Sequence, residues 1–161
     1  MPEPKYTRVI EAEAIIVALH KKYPKVFWTI GDPKCIAVLG VENVERPKGT
    51  KTLATIQKVP PTMKALMIGD NAGITHVIKL YWSDWHKWAA PFRQIVLAHE
   101  CLHVPSDDKG VFDHDVKDFR IILDALGLGW QRRPDLPDLL KTDVKFDENL
   151  VPSLPEEGNK K

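Results

Sequence analysis

Pro91 and Pro105 bracket the most apolar stretch of this chain. Between them, Phe92, Ile95, Val96, Leu97, Ala98, Cys101 and Leu102 leave little room for a polar face, so residues 91–103 read as a buried helix. Proline suits the first position of a helix, where no N–H is needed, but costs about 3 kcal/mol in the interior. Position 91 therefore starts this helix, and 84–89 before it reads as a turn or a separate short helix. Pro105 drives Val104 out of the α region and ends the segment. A helix of this kind must be covered on nearly every side, which demands a packed domain around it.

The rest of the chain supplies covering elements. Residues 7–22 read as an amphipathic helix, with Val9, Ile10, Ala14, Val17 and Ala18 at helical spacing, Ile15 and Leu19 widening the stripe, and Pro24 stopping it. Residues 35–41, 52–59 and 75–82 read as strands. A hairpin loop at 46–50 joins the first two, Pro60-Pro61 ends the second, and Asn71-Ala-Gly73 is a turn. Residues 62–68 fit either a helical turn or a strand. After a polar loop at 105–113, Asp113 is a suitable N-cap for a helix at 114–126 that turns Val116, Phe119, Ile122, Leu123 and Leu126 inward and stops at Gly127. This pattern defines an α+β domain over 1–130. A Pro- and charge-rich extension follows over 131–161, partly disordered, with little regular structure expected beyond about residue 145.

At 161 residues the chain can bury a core without disulfides or a structural metal, and its two cysteines, Cys35 and Cys101, cannot build a disulfide framework. They fit a reducing compartment. A formal net charge of +1 gives no general pull toward nucleic acid or anionic lipid. The early acids in MPEPKYTRVIEAEAII argue against a signal peptide, and no segment has the apolar length of a membrane span. The expected setting is soluble and cytoplasmic, with neither membrane nor nucleic acid as a partner.

Within the buried helix, residues 99–103 read His-Glu-Cys-Leu-His. Histidines four apart stand one turn from each other on one face, so both imidazoles can reach a single metal ion. Glu100, rotated about 100° from His99, can reach the water at an open coordination position. That pattern is the one zinc hydrolases use. Two histidines and a glutamate are costly in the most hydrophobic helix of the chain unless they have partners, which a cation would supply. The competing reading is a cluster satisfied by hydrogen bonds alone.

A catalytic zinc needs a third protein ligand. His114 lies one loop downstream and can return to the open side of the metal. Asp118 competes for the role, and four residues beyond His114 it is also placed to orient that imidazole. Asp115 reads as a helix-dipole acid. Position 106 is Ser rather than Gly, which excludes the metzincin pattern. His20, His76 and His86 read as ordinary surface or hydrogen-bonded residues, Cys101 as a small buried one, Trp82, Trp85 and Trp88 as packing under the active helix, and Lys48, Lys51 and Lys58 as the solvated side of a hairpin.

The run Ile95-Val-Leu-Ala-His99-Glu-Cys-Leu-His103, followed by His114-Asp-Val-Lys-Asp-Phe119, resembles the putative phage metallopeptidase family, a zincin-like group. Its members carry HELLH followed by an HDVxDF-type stretch, and the likeness covers roughly residues 8–127. The resemblance implies a zincin-like fold with an N-terminal helix, a sheet of about three strands, the HExxH helix and a second helix delivering His114. It implies a zinc-dependent peptidase of viral origin in the host cytoplasm, acting on peptide or protein substrates. Zinc would be held by His99, His103 and His114, with Glu100 as general base and Asp118 beside them. Zincins bind substrate along a sheet edge, and strand 75–82 is the expected edge. Two other readings stay open, a non-catalytic zinc-stabilised viral interaction protein and a SprT-like protease of DNA-bound proteins.

Overall fold

The computed structural model describes residues 2–46, 52–106, 110–114 and 118–152. Most of the expected 46–50 loop, together with Lys48, Lys51, Asp115, Val116 and the last residues of the chain, lies outside them.

Among the described residues the chain forms an α+β domain with a four-stranded mixed sheet and five α-helices. Strand β1 (Lys5–Arg8), which was not expected, precedes helix α1 (Ile10–Lys22) and pairs antiparallel with β2 (Ile36–Glu42). Strand β3 (Ala54–Lys58), the short helix α2 (Pro61–Lys64) and strand β4 (His76–Tyr81) follow. The sheet order is β1-β2-β4-β3, with β4 parallel to β2 and antiparallel to β3. β4 is therefore a central strand, not the edge expected of residues 75–82. The free edge nearest the histidines belongs to β3.

β4 alternates strictly, with His76, Ile78 and Leu80 buried and the residues between them less so. Helix α3 (Trp82–Lys87) follows at once, and α4 (Ala90–Cys101) begins with Pro91 in its first turn. Helices α1 and α4 pack on each other against one face of the sheet. The face that α1 buries is Ala12, Ile16 and Leu19, whereas Ile10 and Val17 are exposed. The apolar residues of α1 run almost all round, so their spacing could not choose between faces. The choice is fixed by Glu13, which accepts from Arg8 and from the Val38 backbone N–H. At Gly40 the Trp82 ring lies so close that any Cβ would overlap it.

Helix α5 spans Arg120–Leu126, with Phe119 rather than Asp113 at its N-cap, and ends at Gly127 with φ of 87°. His114 therefore sits in a loop, not on the second helix. The segment beyond Trp130 is packed as far as residue 152: Leu139 is fully buried, and Leu136, Leu140, Val144 and Phe146 lie against the same core. Gln94 of α4 receives the Leu139 N–H at 2.7 Å, and Tyr23 donates to the Leu139 carbonyl at 2.6 Å. A short 3₁₀ turn at Glu148–Leu150 adds regular structure beyond residue 145. Packing gives no break at residue 130, because the strap over 131–152 covers the ends of α1 and α4. No helix among the described residues is long and apolar enough to cross a membrane.

Candidate metal centre

Helix α4 carries His99 and Glu100, and the chain then tightens: the His103 N–H bonds to the Glu100 carbonyl at 3.1 Å, so His103 stands just beyond the last helical residue. The loop returns at Phe112. Its N–H donates to the His103 carbonyl at 2.6 Å, and its own carbonyl accepts from His103 Nδ1. This reciprocal pairing brings His114, two residues on, back over α4. His99, His103 and His114 each offer one ring nitrogen, and these atoms lie within 4.8 Å of one another. His99 Nε2 and His114 Nε2 are 2.8 Å apart.

Phe119 forms the floor of the cluster, its ring centroid 5.2, 4.7 and 5.1 Å from those of His99, His103 and His114, edge-on to each. Asp118 lies behind. Its Oδ1 is 2.6 Å from His99 Nδ1, a close contact that lies off the direction of a ring N–H. Its Oδ2 accepts from the Trp130 indole at 2.8 Å, and its Oδ1 accepts from the Phe119 N–H at 2.7 Å. Asp118 was expected to orient His114; the structure sets it against His99 instead, because residue 118 precedes α5 and the helical i, i+4 relation to His114 does not exist.

The electrostatics follow from this burial. Burial pushes the Glu100 carboxyl up to about 7, with His99 pulling it back and Asp118 adding to the rise. Burial lowers the His103 imidazole to about 4, against the opposing pull of the Phe112 carbonyl, and the two neighbouring histidines lower it further. Asp118 is the reverse case. Burial would raise it, yet its contacts with His99, Trp130 and the Phe119 N–H outweigh that and hold it below the usual carboxylate range.

The chemistry of this donor set fits a divalent cation. The Nδ1 atoms of His99 and His103 face Asp118 and Phe112, which turns their Nε2 atoms toward the cluster, the arrangement in which a partner behind each imidazole fixes its ring and raises its basicity. The cluster opens into a cleft of about 520 Å³ shared by Glu100, Trp130 and residues 52–56 along the β3 edge.

Other sequence candidates lie elsewhere. His20 Nε2 bonds the Ile30 carbonyl, and exposed His86 stands edge-on to Trp82. Cys101 is buried, as is Trp85. His76 is fully buried and does more than expected: Nδ1 pairs with the Thr75 hydroxyl at 2.9 Å, and Nε2 with the Gly110 carbonyl at 2.8 Å, inside the loop that carries Phe112 and His114. Phe119 was read as a core residue and as the end of the HDVxDF-type stretch, and Trp130 only as the edge of the domain. No periodic signal marks Trp130 as a partner of Asp118, since the two stand twelve positions apart with helix α5 and a turn between them.

Fold and site define an α+β domain with three convergent imidazoles, a group able to hold a metal ion. The chain belongs to the family described as Putative phage metallopeptidase, whose model matches residues 5–142 and so includes most of the strap after Trp130. No curated protein and no solved structure matches it.

Proposed function

We propose that this protein is a zinc-dependent, zincin-like peptidase in which His99, His103 and His114 hold the metal and Glu100 is the general base. The observation that carries the reading is the convergence of the three imidazoles beside a buried glutamate in one open cleft. A zinc ion bound there would acidify a water molecule and polarise the carbonyl of a scissile peptide bond.

The chain's own residues would do the remainder. Asp118 and the Phe112 carbonyl keep His99 and His103 turned to the cluster. Glu100, with a carboxyl raised by burial, takes up a proton at its carboxylate near neutral pH and returns it to the leaving amine nitrogen. The unpaired edge of β3 offers backbone N–H and C=O groups to an extended peptide lying over the cleft. Asp118 supports catalysis over a purely structural site: it backs His99 and does not join the three ligand nitrogens as a fourth donor.

The test compares wild type with Glu100→Gln by metal analysis and by cleavage of a peptide library. Both proteins should carry about one zinc, and the variant should lose cleavage by roughly 10²- to 10⁴-fold, the range spanned by general-base catalysis. Equal turnover in the two would remove Glu100 from the mechanism.

A further inference from the structure

Beside the cleft lies a second cavity of about 690 Å³, and the two adjoin, since Leu53 and Gln131 line both. A row of rings runs from one to the other. Trp88 and Phe92 in the second cavity are 5.1 Å apart between centroids, and Phe92 is 5.5 Å from Trp130, which lines the cleft and holds Asp118. The second cavity differs from the cleft in charge. Arg46, Lys87, Arg132 and Arg133 line it against a single acid, Asp84. Two of these cations are occupied: Arg46 pairs with Asp84 and lies over Tyr81, and Arg133 pairs with Asp135. Lys87 and Arg132 are exposed and have no carboxylate partner among the described residues.

We infer that this cavity is a subsite for a carboxylate of the bound peptide, with the Trp88–Phe92 surface under the aliphatic stem of the residue and Lys87 and Arg132 at its charged end. The ligand's being a peptide rests on the reading of the cleft above. A carboxylate fits better than a phosphate backbone, because Asp84 lines the cavity, Asp135 pairs with the lining Arg133, and the whole chain is nearly neutral. A single carboxylate needs only the two unpaired cations, whereas a polyanion would have to pass both acids.

The experiment uses the full chain and fluorescent, C-terminally amidated decapeptides of one apolar sequence, carrying a single Glu, Gln or Lys at successive positions. One further Gln peptide ends in a free acid. Binding is read by anisotropy with chelator present, so that nothing is cut. At one or more positions Glu should bind about tenfold tighter than Gln, and the margin should shrink at about 0.5 M salt. A matching gain for the free-acid peptide alone would locate the carboxylate at a chain end and still support the subsite. The double variant Lys87→Glu/Arg132→Glu should reverse the preference toward Lys, and Lys87→Gln/Arg132→Gln should abolish it. Equal binding of the Glu, Gln, Lys and free-acid peptides by wild type, or a preference that survives both double variants, would overturn the inference. So would tighter binding of oligothymidylate than of any Glu peptide through the same two cations. Cleavage with zinc restored separates the two readings: cutting indifferent to Glu removes the subsite and leaves the peptidase, and Glu preference without any cutting does the opposite.

Discussion

Asp118 sets one carboxylate oxygen 2.6 Å from His99 Nδ1 and gives the other to the Trp130 indole N–H. One buried acid thus ties helix α4, which carries His99 and Glu100, to the turn after α5.

Asp118→Asn should weaken zinc binding by about 10- to 100-fold, because the imidazole loses the negative charge that fixes its ring and raises its basicity. Trp130→Phe, which leaves the carboxylate without its indole donor, should act in the same direction and by less. Competition titration against a chelator of known affinity measures both, with circular dichroism to verify folding. Unchanged affinity in Asp118→Asn would make this contact structural only.

Zinc should also stabilise the fold, since the three ligand nitrogens converge only when the loop is closed on α4. At free metal of about 100 times Kd, linkage gives about 2.7 kcal/mol, or roughly 5–10 °C in Tm for a domain of this size. His114→Ala should lose most of that gain. A variant melting with the same zinc-dependent rise would exclude His114 as a ligand.

In the metal-free protein, Glu100 carries a pH-dependent cost. Its folded carboxyl is raised from 4.5 to about 7, so folding favours the protonated form. The stability this supplies is fully present below about pH 4.5 and is lost as pH rises through 7. Glu100→Gln has no such loss. Thermal melts with chelator should show the variant gaining on wild type between pH 5 and pH 8, by up to about 3 kcal/mol at the upper end. A constant difference across that range would mean that Glu100 is hydrated and ionised in the fold.

How far the sequence discloses this molecule varies by element. The buried α4, its proline start, β2, β3, β4 and the stop at Gly127 follow local rules of periodicity and turn chemistry, and the structure has them within a few residues. The three histidines could be grouped because two stand four residues apart, the spacing of one helix face, and the third follows soon after. What local patterning could not supply is order across the sheet. The pairing of β4 between β2 and β3 depends on a parallel crossover, and with it goes the identity of the free edge. Asp118 was assigned to the wrong imidazole for a related reason: helical spacing from His114 was assumed, whereas α5 begins only at Arg120. β1 escaped notice because Lys5-Tyr-Thr-Arg8 is short and polar, and only its pairing to Glu42–Leu39 makes it a strand.

Gly40 gives a test of packing away from the site. A Cβ there would meet the Trp82 ring, and the side chain cannot retreat easily where α3 begins directly after β4. Gly40→Ala should destabilise by about 1–3 kcal/mol in urea unfolding. Combined with Trp82→Leu, the loss should be clearly less than the sum of the single effects, because the smaller side chain vacates the space. Additive losses would place the strain elsewhere.

His76 connects the sheet to the loop that delivers His114. The Gly110 carbonyl can only accept, so His76 Nε2 is the donor and Nδ1 is left to accept from the Thr75 hydroxyl. A fully buried imidazole in this single tautomer pins residue 110, and Phe112, two residues later, pairs with His103 in both directions. His76→Leu removes the donor and strands a carbonyl, which should cost about 1–3 kcal/mol in unfolding free energy. It should also loosen the approach of His114, so zinc affinity should fall by a larger factor than in Thr75→Val, which keeps the Nε2 bond. In a double-mutant cycle, His76→Leu and His114→Ala should be less than additive for zinc, because with the third imidazole gone the loop's position matters less. If His76→Leu lowers stability while leaving zinc affinity at the wild-type value, the clamp serves the fold alone and the loop finds its place without it.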